Sequence, residues 1–174
     1  GEYPPQWVHS RCVRWTIQLF AQDPRKLGDE LTVSTGIPAT TGGLTIPFTV
    51  PFSIDATVVS GQVSLTNPGT IDGPVWLRID GPTAGPALVS PRVTHVNSGR
   101  SLVFGSSMSL ANGEYVTVDM QRRTVLAQGQ EQASRDGYVT DRGWSTFQPG
   151  SNEWAFSCVS GSGTLTVTTR PAWK

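Results

Sequence analysis

The chain of 174 residues carries 13 basic and 13 acidic residues, a formal net charge of zero, and only 15% charged residues. That balance excludes the electrostatic capture of nucleic acid or of an anionic membrane surface. Gly and Pro make up about 18% of the chain without any period, which excludes collagen and a disordered tail and marks a turn-rich folded β protein.

No apolar run reaches the ~18 residues of a membrane span. The start, Gly1-Glu2-Tyr3-Pro4-Pro5, has neither a basic n-region nor an apolar h-region, so no signal peptide is expected. With no initiator Met, the chain is expected to be a piece of a longer one. The two cysteines, Cys12 and Cys158, each sit in an apolar strand pattern and are expected as buried free thiols, with a disulfide as the alternative.

In chain order, Arg11 to Ala21 alternates Val13, Trp15, Ile17 and Leu19 against Arg14, Thr16 and Gln18. This predicts one long strand that buries Trp15 and must pair with the main domain or another chain. Gln22-Asp23-Pro24-Arg25 is a type I turn signal. Leu31 to Val33 reads as strand. Leu44 to Ile54, with Pro47 and Pro51, reads as an edge strand or extended arm. Ala56 to Thr66 is one strand with Val63 and Leu65 facing in, and it ends at Asn67-Pro68-Gly69-Thr70.

Pro74 to Asp80 alternates Val75, Leu77 and Ile79 against Trp76, Arg78 and Asp80. Ala87 to Val96, Ser101 to Phe104 and Met108 to Leu110 are extended pieces. Ala111-Asn112-Gly113-Glu114 is a hairpin signal. Val116, Val118 and Met120 then alternate against Tyr115, Thr117 and Asp119. A turn at Gln121-Arg122-Arg123 leads to a strand at 124–127, and Gln128 to Arg142 reads as a polar surface loop.

Gly143 to Trp173 predicts three strands and two tight turns, Gln148 to Asn152 and Gly161-Ser162-Gly163. Trp154, Phe156 and Leu165 there demand a covering sheet. Ten to twelve strands spaced about 8–12 residues apart, with no amphipathic helix, predict an all-β antiparallel sandwich or barrel.

Chemistry is sparse. Two histidines, His9 and His95, and a Gly105-Ser106-Ser107 that is no nucleophile elbow offer no triad. His95 is expected as a surface or hydrogen-bonded strand residue. Asp80 and Asp119 are the best carboxylate pair for glycoside hydrolysis, but solvated surface acids are the expected reading. No zinc spacing, calcium loop or phosphate loop is present, so no catalytic, cofactor or metal residue is assigned. Arg122 and Arg123 beside Asp119 are expected as a structural turn pair, with a sugar or phosphate clamp as the alternative. Of the six tryptophans, Trp76 and Trp144 are candidates for an exposed stacking platform. With Arg78 and Asp80 they form the candidate ligand or partner surface.

Three groups of residues carry a family resemblance. One is the strand ending in Asp23-Pro24-Arg25-Lys26-Leu27-Gly28. The second runs from Asn67-Pro68-Gly69-Thr70 through Pro74 to Gly81, Gly99-Arg100-Ser101-Leu102, Leu110 to Glu114 and Val116-Thr117-Val118-Asp119 to Arg123. The third is Phe147 to Phe156 with Arg170-Pro171-Ala172-Trp173. In this order and spacing, over most of residues 11–173, the chain resembles the distal tail (Dit-like) proteins of long-tailed bacteriophages.

The resemblance implies a galectin-like or jelly-roll-like β-sandwich at residues 29–174, with residues 1–28 the end of a preceding ring-forming domain. It implies a structural protein of the virion tail, without enzymatic activity or cofactor, present in the host cytoplasm during assembly. Its implied partners are further copies in a hexameric ring, the tail tube and hub proteins, and a receptor-binding protein or cell-surface glycan. A carbohydrate-binding module that aids attachment is the alternative.

Overall fold

The structure, a computed structural model, describes residues 6–7, 13–21, 23–41, 57–59 and 61–174. Ten strands build its body: β1 (Leu31–Gly36), β2 (Gln62–Asn67), β3 (Val75–Asp80), β4 (Arg92–His95), β5 (Arg100–Phe104), β6 (Tyr115–Asp119), β7 (Thr124–Ala127), β8 (Val139–Arg142), β9 (Gly150–Ser157) and β10 (Thr164–Thr169). They form two five-stranded sheets, in the orders β8-β5-β4-β9-β2 and β7-β6-β3-β10-β1. Every pairing within these sheets is antiparallel. Among the described residues the helical content is two three-residue 3-10 turns, Val96–Ser98 and Asp136–Tyr138.

The sheets close on one core because each strand presents every second residue inward. Val93, Leu102, Phe104, Trp154 and Phe156 from the first sheet meet Val75, Leu77, Ile79, Val116, Val118, Leu165 and Val167 from the second. The expected phases of residues 75–80, 116–120 and 154–156 are those observed. The all-β antiparallel sandwich is therefore the architecture of the described residues.

Six expectations change. The strand expected over Arg11 to Ala21 survives only as Val13–Arg14, paired with Gln6–Trp7. Residues 15–21 carry no regular structure, and Trp15 is 71% exposed instead of buried. Alternation marks a strand ready for burial, but no sheet of the described residues takes it up.

The loop expected over Gln128 to Arg142 ends in β8, an edge strand with a bulge opposite Val103 and Phe104. The strand expected from Ala56 to Thr66 breaks at Gly61, whose φ is +67°. A Cβ there would stand 2.4 Å from the Pro38 ring and 2.9 Å from the Phe156 carbonyl. The Ala111 to Glu114 turn closes as expected, Glu114 N–H to Ala111 O at 3.1 Å, but joins strands of different sheets. Gly161-Ser162-Gly163 likewise carries the chain from β9 to β10 across the sandwich. Cys158 is half-buried instead of buried, and burial pushes its thiol pKa up. Cys12 and the edge segment Leu44 to Ile54 lie outside the described residues.

Candidate functional site

The solvent face of the second sheet is built by the residues out of phase with the core. Strand β3 contributes Trp76, Arg78 and Asp80; its neighbours β6 and β10 place Asp119 and Thr168 beside Trp76, Thr117 and Thr166 beside Arg78, and Tyr115 and Thr164 beside Asp80. Strand β1 continues the hydroxyl rows, with Ser34 to Thr166 at 2.9 Å and Thr32 to Thr168 at 3.2 Å. A shallow depression of about 260 Å³ opens between Trp76, Arg78, Thr117, Asp119, Arg122 and Leu126.

Its charged groups are already paired. Arg78 forks onto Asp80 at 2.6–3.0 Å and lies 3.8 Å over the Tyr115 ring. The hydrogen bond to Asp80 holds its pKa above the usual guanidinium value. Trp76 donates its indole N–H to Asp119 Oδ2 at 3.1 Å, and Asp119 Oδ1 accepts the Gln121 and Arg122 amides at 2.9 and 2.8 Å. The Asp119 carboxylate thus closes its turn through backbone amides, and the exposed Arg122 guanidinium lies 4.0 Å from it.

Asp80 and Asp119 stand at opposite ends of this face. Their register separates them by four residues, about 13 Å. Hydrolytic carboxylate pairs lie within about 9.5 Å, so these two do not form one. Trp144 does not join the group: it follows β8 at the edge of the other sheet and packs on the core. Trp76, Arg78 and Asp80 are brought together; Trp144 is not. No cluster of three or more His, Cys, Asp or Glu residues fit to hold a metal occurs among the described residues.

Three arrangements are invisible in the sequence. His95 is buried against the Trp154 ring, 5.0 Å between centroids. Asn152 donates to the Gln148 and Gly150 carbonyls, so its Oδ1 is the acceptor for the Gln148 amide and for His95 Nε2–H. The Ser98 hydroxyl, 2.7 Å away, then donates to His95 Nδ1. Burial lowers the pKa of this histidine.

Asn67 ties the Asn-Pro-Gly turn together. Its side chain donates to Phe147 O at 2.7 Å and accepts the Gly69 amide at 2.8 Å. Arg25, in the Asp-Pro-Arg turn, forks onto Asp23 and reaches Asp72 O and Gln121 Oε1, both at 2.9 Å. The Arg25 hydrogen bonds hold the Asp23 pKa down at about 2.

Before this anchor the chain is apolar and uncovered. Trp15, Ile17, Leu19 and Phe20 are 71, 60, 92 and 94% exposed. Four large apolar side chains in six residues, standing in water, are the form an interaction segment takes.

No protein-family profile matches the chain, and no curated protein matches it in sequence. Among solved structures it is similar to the Dit protein (gp 19.1) of phage SPP1, described as a paradigm of the hub adsorption apparatus in phages that infect Gram-positive bacteria. The TM-score is 0.55 and the identity 13%; the match covers 88% of this chain but 50% of that one. The chain therefore spans about half the length of its neighbour. At this identity the likeness speaks for the fold alone: the described residues share the all-β fold of that phage protein.

Proposed function

We propose that the chain is a structural part of a phage tail tip, working by assembly and not by catalysis. The observation that carries this is the run of exposed apolar residues from Trp15 to Phe20, held to the sandwich by Arg25. The fold shared with a phage hub protein supports the same reading. In it, residues 1–28 end a ring-forming domain, residues 29–174 are the outward sandwich, and six copies form a ring joining tail tube to hub. The assembled protein resides in the virion after assembly in the host cytoplasm.

A second reading, a galectin-like module that binds surface carbohydrate, draws on the half-buried Trp76 lining its depression. The charged groups Arg78, Asp80 and Asp119 of that surface are already paired within the protein, so the assembly reading is preferred.

Light scattering on this chain, and on the chain with upstream sequence restored, tests the proposal. A monomer for the first and a hexamer for the second is the expected result. Monomers in both cases would overturn the ring.

A further inference from the structure

The chain has four asparagines, and three of them are locked. Asn67 and Asn152 are buried, and each donates its amide to two backbone carbonyls. Asn67 is also followed by Pro68, which has no N–H. Asn97 uses both ends of its amide, donating to Ser151 O at 3.1 Å and accepting the Glu153 N–H at 2.8 Å. Asn112 is different. It is exposed, it is followed by Gly113, and its side chain makes one hydrogen bond, Nδ2–H to Thr83 O at 2.7 Å.

The turn that holds Asn112 sets Gly113 at φ +78°, where glycine is free of strain. The Gly113 N–H donates to no group among the described residues, and a Cβ on Gly113 would meet nothing within 4 Å. Imide closure needs a side-chain amide carbon, an uncommitted backbone nitrogen on the next residue, and open space around both. The aspartate–glycine pairs lack one of these. Gly73 and Gly81 donate their N–H to Phe147 O and Glu114 O at 2.9 and 2.8 Å. Asp136, before Gly137, is an anion paired with Arg142 and a poor electrophile.

We infer that Asn112 is a modification site: it deamidates spontaneously in the folded protein, and the reaction unties the loop 82–87. Hydroxide removes the Gly113 amide proton, and the nitrogen attacks Asn112 Cγ. The new N–Cγ bond forms, the Cγ–Nδ2 bond breaks, and the leaving nitrogen takes a proton from water and departs as ammonia. Water then opens the imide at either carbonyl, leaving aspartate or isoaspartate in place of Asn112. No group is oxidised or reduced. The single exposed bond to Thr83 is too weak to hold the amide back.

Loss of the amide donor has a structural effect. Among the described residues, the Asn112 bond to Thr83 O is the only hydrogen bond made by residues 82–87. A carboxylate only accepts, so it cannot bind a carbonyl. The product also places a negative charge in the same turn as Glu114, on a chain whose net charge is otherwise zero. None of this rests on the tail-tip reading.

The test is incubation of the folded chain in mildly alkaline buffer, followed by tryptic mass mapping. Trypsin separates Asn97, in residues 93–100, from Asn112, in residues 101–122. The 101–122 peptide is expected to gain one mass unit, divided between an aspartate and an isoaspartate form, and to do so faster as the pH rises. The 93–100 peptide is expected to stay unchanged, and Asn112→Gln to abolish the gain. No gain in 101–122, or an equal gain in 93–100, would overturn the site.

The untying of the loop is read separately, by NMR relaxation of Asn112→Asp. The backbone order parameters of Thr83, Ala84 and Gly85 are expected to fall toward the flexible range, below about 0.6, with those of β3 and β6 unchanged. Order parameters that match the unmodified chain would overturn the role of Asn112 as the tether. Neither readout involves assembly, so the tail-tip reading keeps its own test.

Discussion

His95 shows what burial does to a titratable side chain. Its Nε2–H is committed to Asn152 and its Nδ1 to the Ser98 hydroxyl, so the neutral ring is satisfied and a second proton would cost a hydrogen bond as well as desolvation. The folded pKa lies below the unfolded value of about 6.5. The unfolded state thus binds more protons below that value, and stability falls as the pH drops through it. The urea midpoint should be flat from pH 8 to 7 and decline below about pH 6.5, by no more than about 1.4 kcal/mol per pH unit. Asp23, held near pKa 2, is still charged in that window. His95→Gln should remove the decline, and a decline that persists would place the titrating group elsewhere. The ring His95 rests on, Trp154, is fully buried and also touches Phe147. Trp154→Ala should cost roughly 3–5 kcal/mol by urea denaturation. Trp154→Phe should cost less, because the indole N–H has no partner among the described residues to lose. The burial of Trp154 was legible from its alternation with Phe156. That of His95 was not, because its acceptor is 57 residues away in sequence.

At the scale of elements, alternation located the strands wherever one face is covered. Strands β3, β6, β9 and β10 each bury every second residue, so period 2 carried through from sequence to structure. Strand β8 carries no alternation because only Val139 of its four residues is buried, and an edge strand needs no apolar phase. The turns at 111–114 and 161–163 were recognisable, but turn chemistry sets where the chain reverses and not which sheet it enters next. The candidate surface was legible in the same measure. Trp76, Arg78 and Asp80 share a face by period alone, while Trp144 needed the sheet order to be set apart. The Asp-Pro-Arg sequence marks a turn; that Arg25 reaches Asp72 and Gln121 is a long-range fact. Arg25→Ala should release residues 23–28 from the sandwich, seen as faster amide hydrogen exchange there with the exchange of β3 and β10 unchanged. Arg25→Lys should not restore protection, because an ammonium cannot fork onto Asp23 and reach two further acceptors. Protection unchanged in Arg25→Ala would mean that the Ala172–Trp173 pairing with Lys26–Leu27 suffices as the anchor.

For the whole molecule, the uneven quality of its surface matters more than its total charge. The sandwich outside is hydroxyl-rich and most of its ion pairs are local in sequence, whereas residues 15–20 place four large apolar side chains in water. A chain of zero net charge has little repulsion to keep such segments apart. The segment should therefore dominate self-association without contributing to the fold. The double variant Ile17→Asp, Leu19→Asp separates these roles. Neither side chain packs on the sandwich core, so the thermal midpoint of this chain should be unchanged, within the ±0.5 kcal/mol or so of an ordinary surface substitution. This chain should stay a monomer, and a chain extended upstream should lose the proposed hexamer. A lowered midpoint would mean that the segment lies against the sandwich and is part of its stability. An intact hexamer would move the assembly surface away from residues 15–20 and onto the sheets themselves.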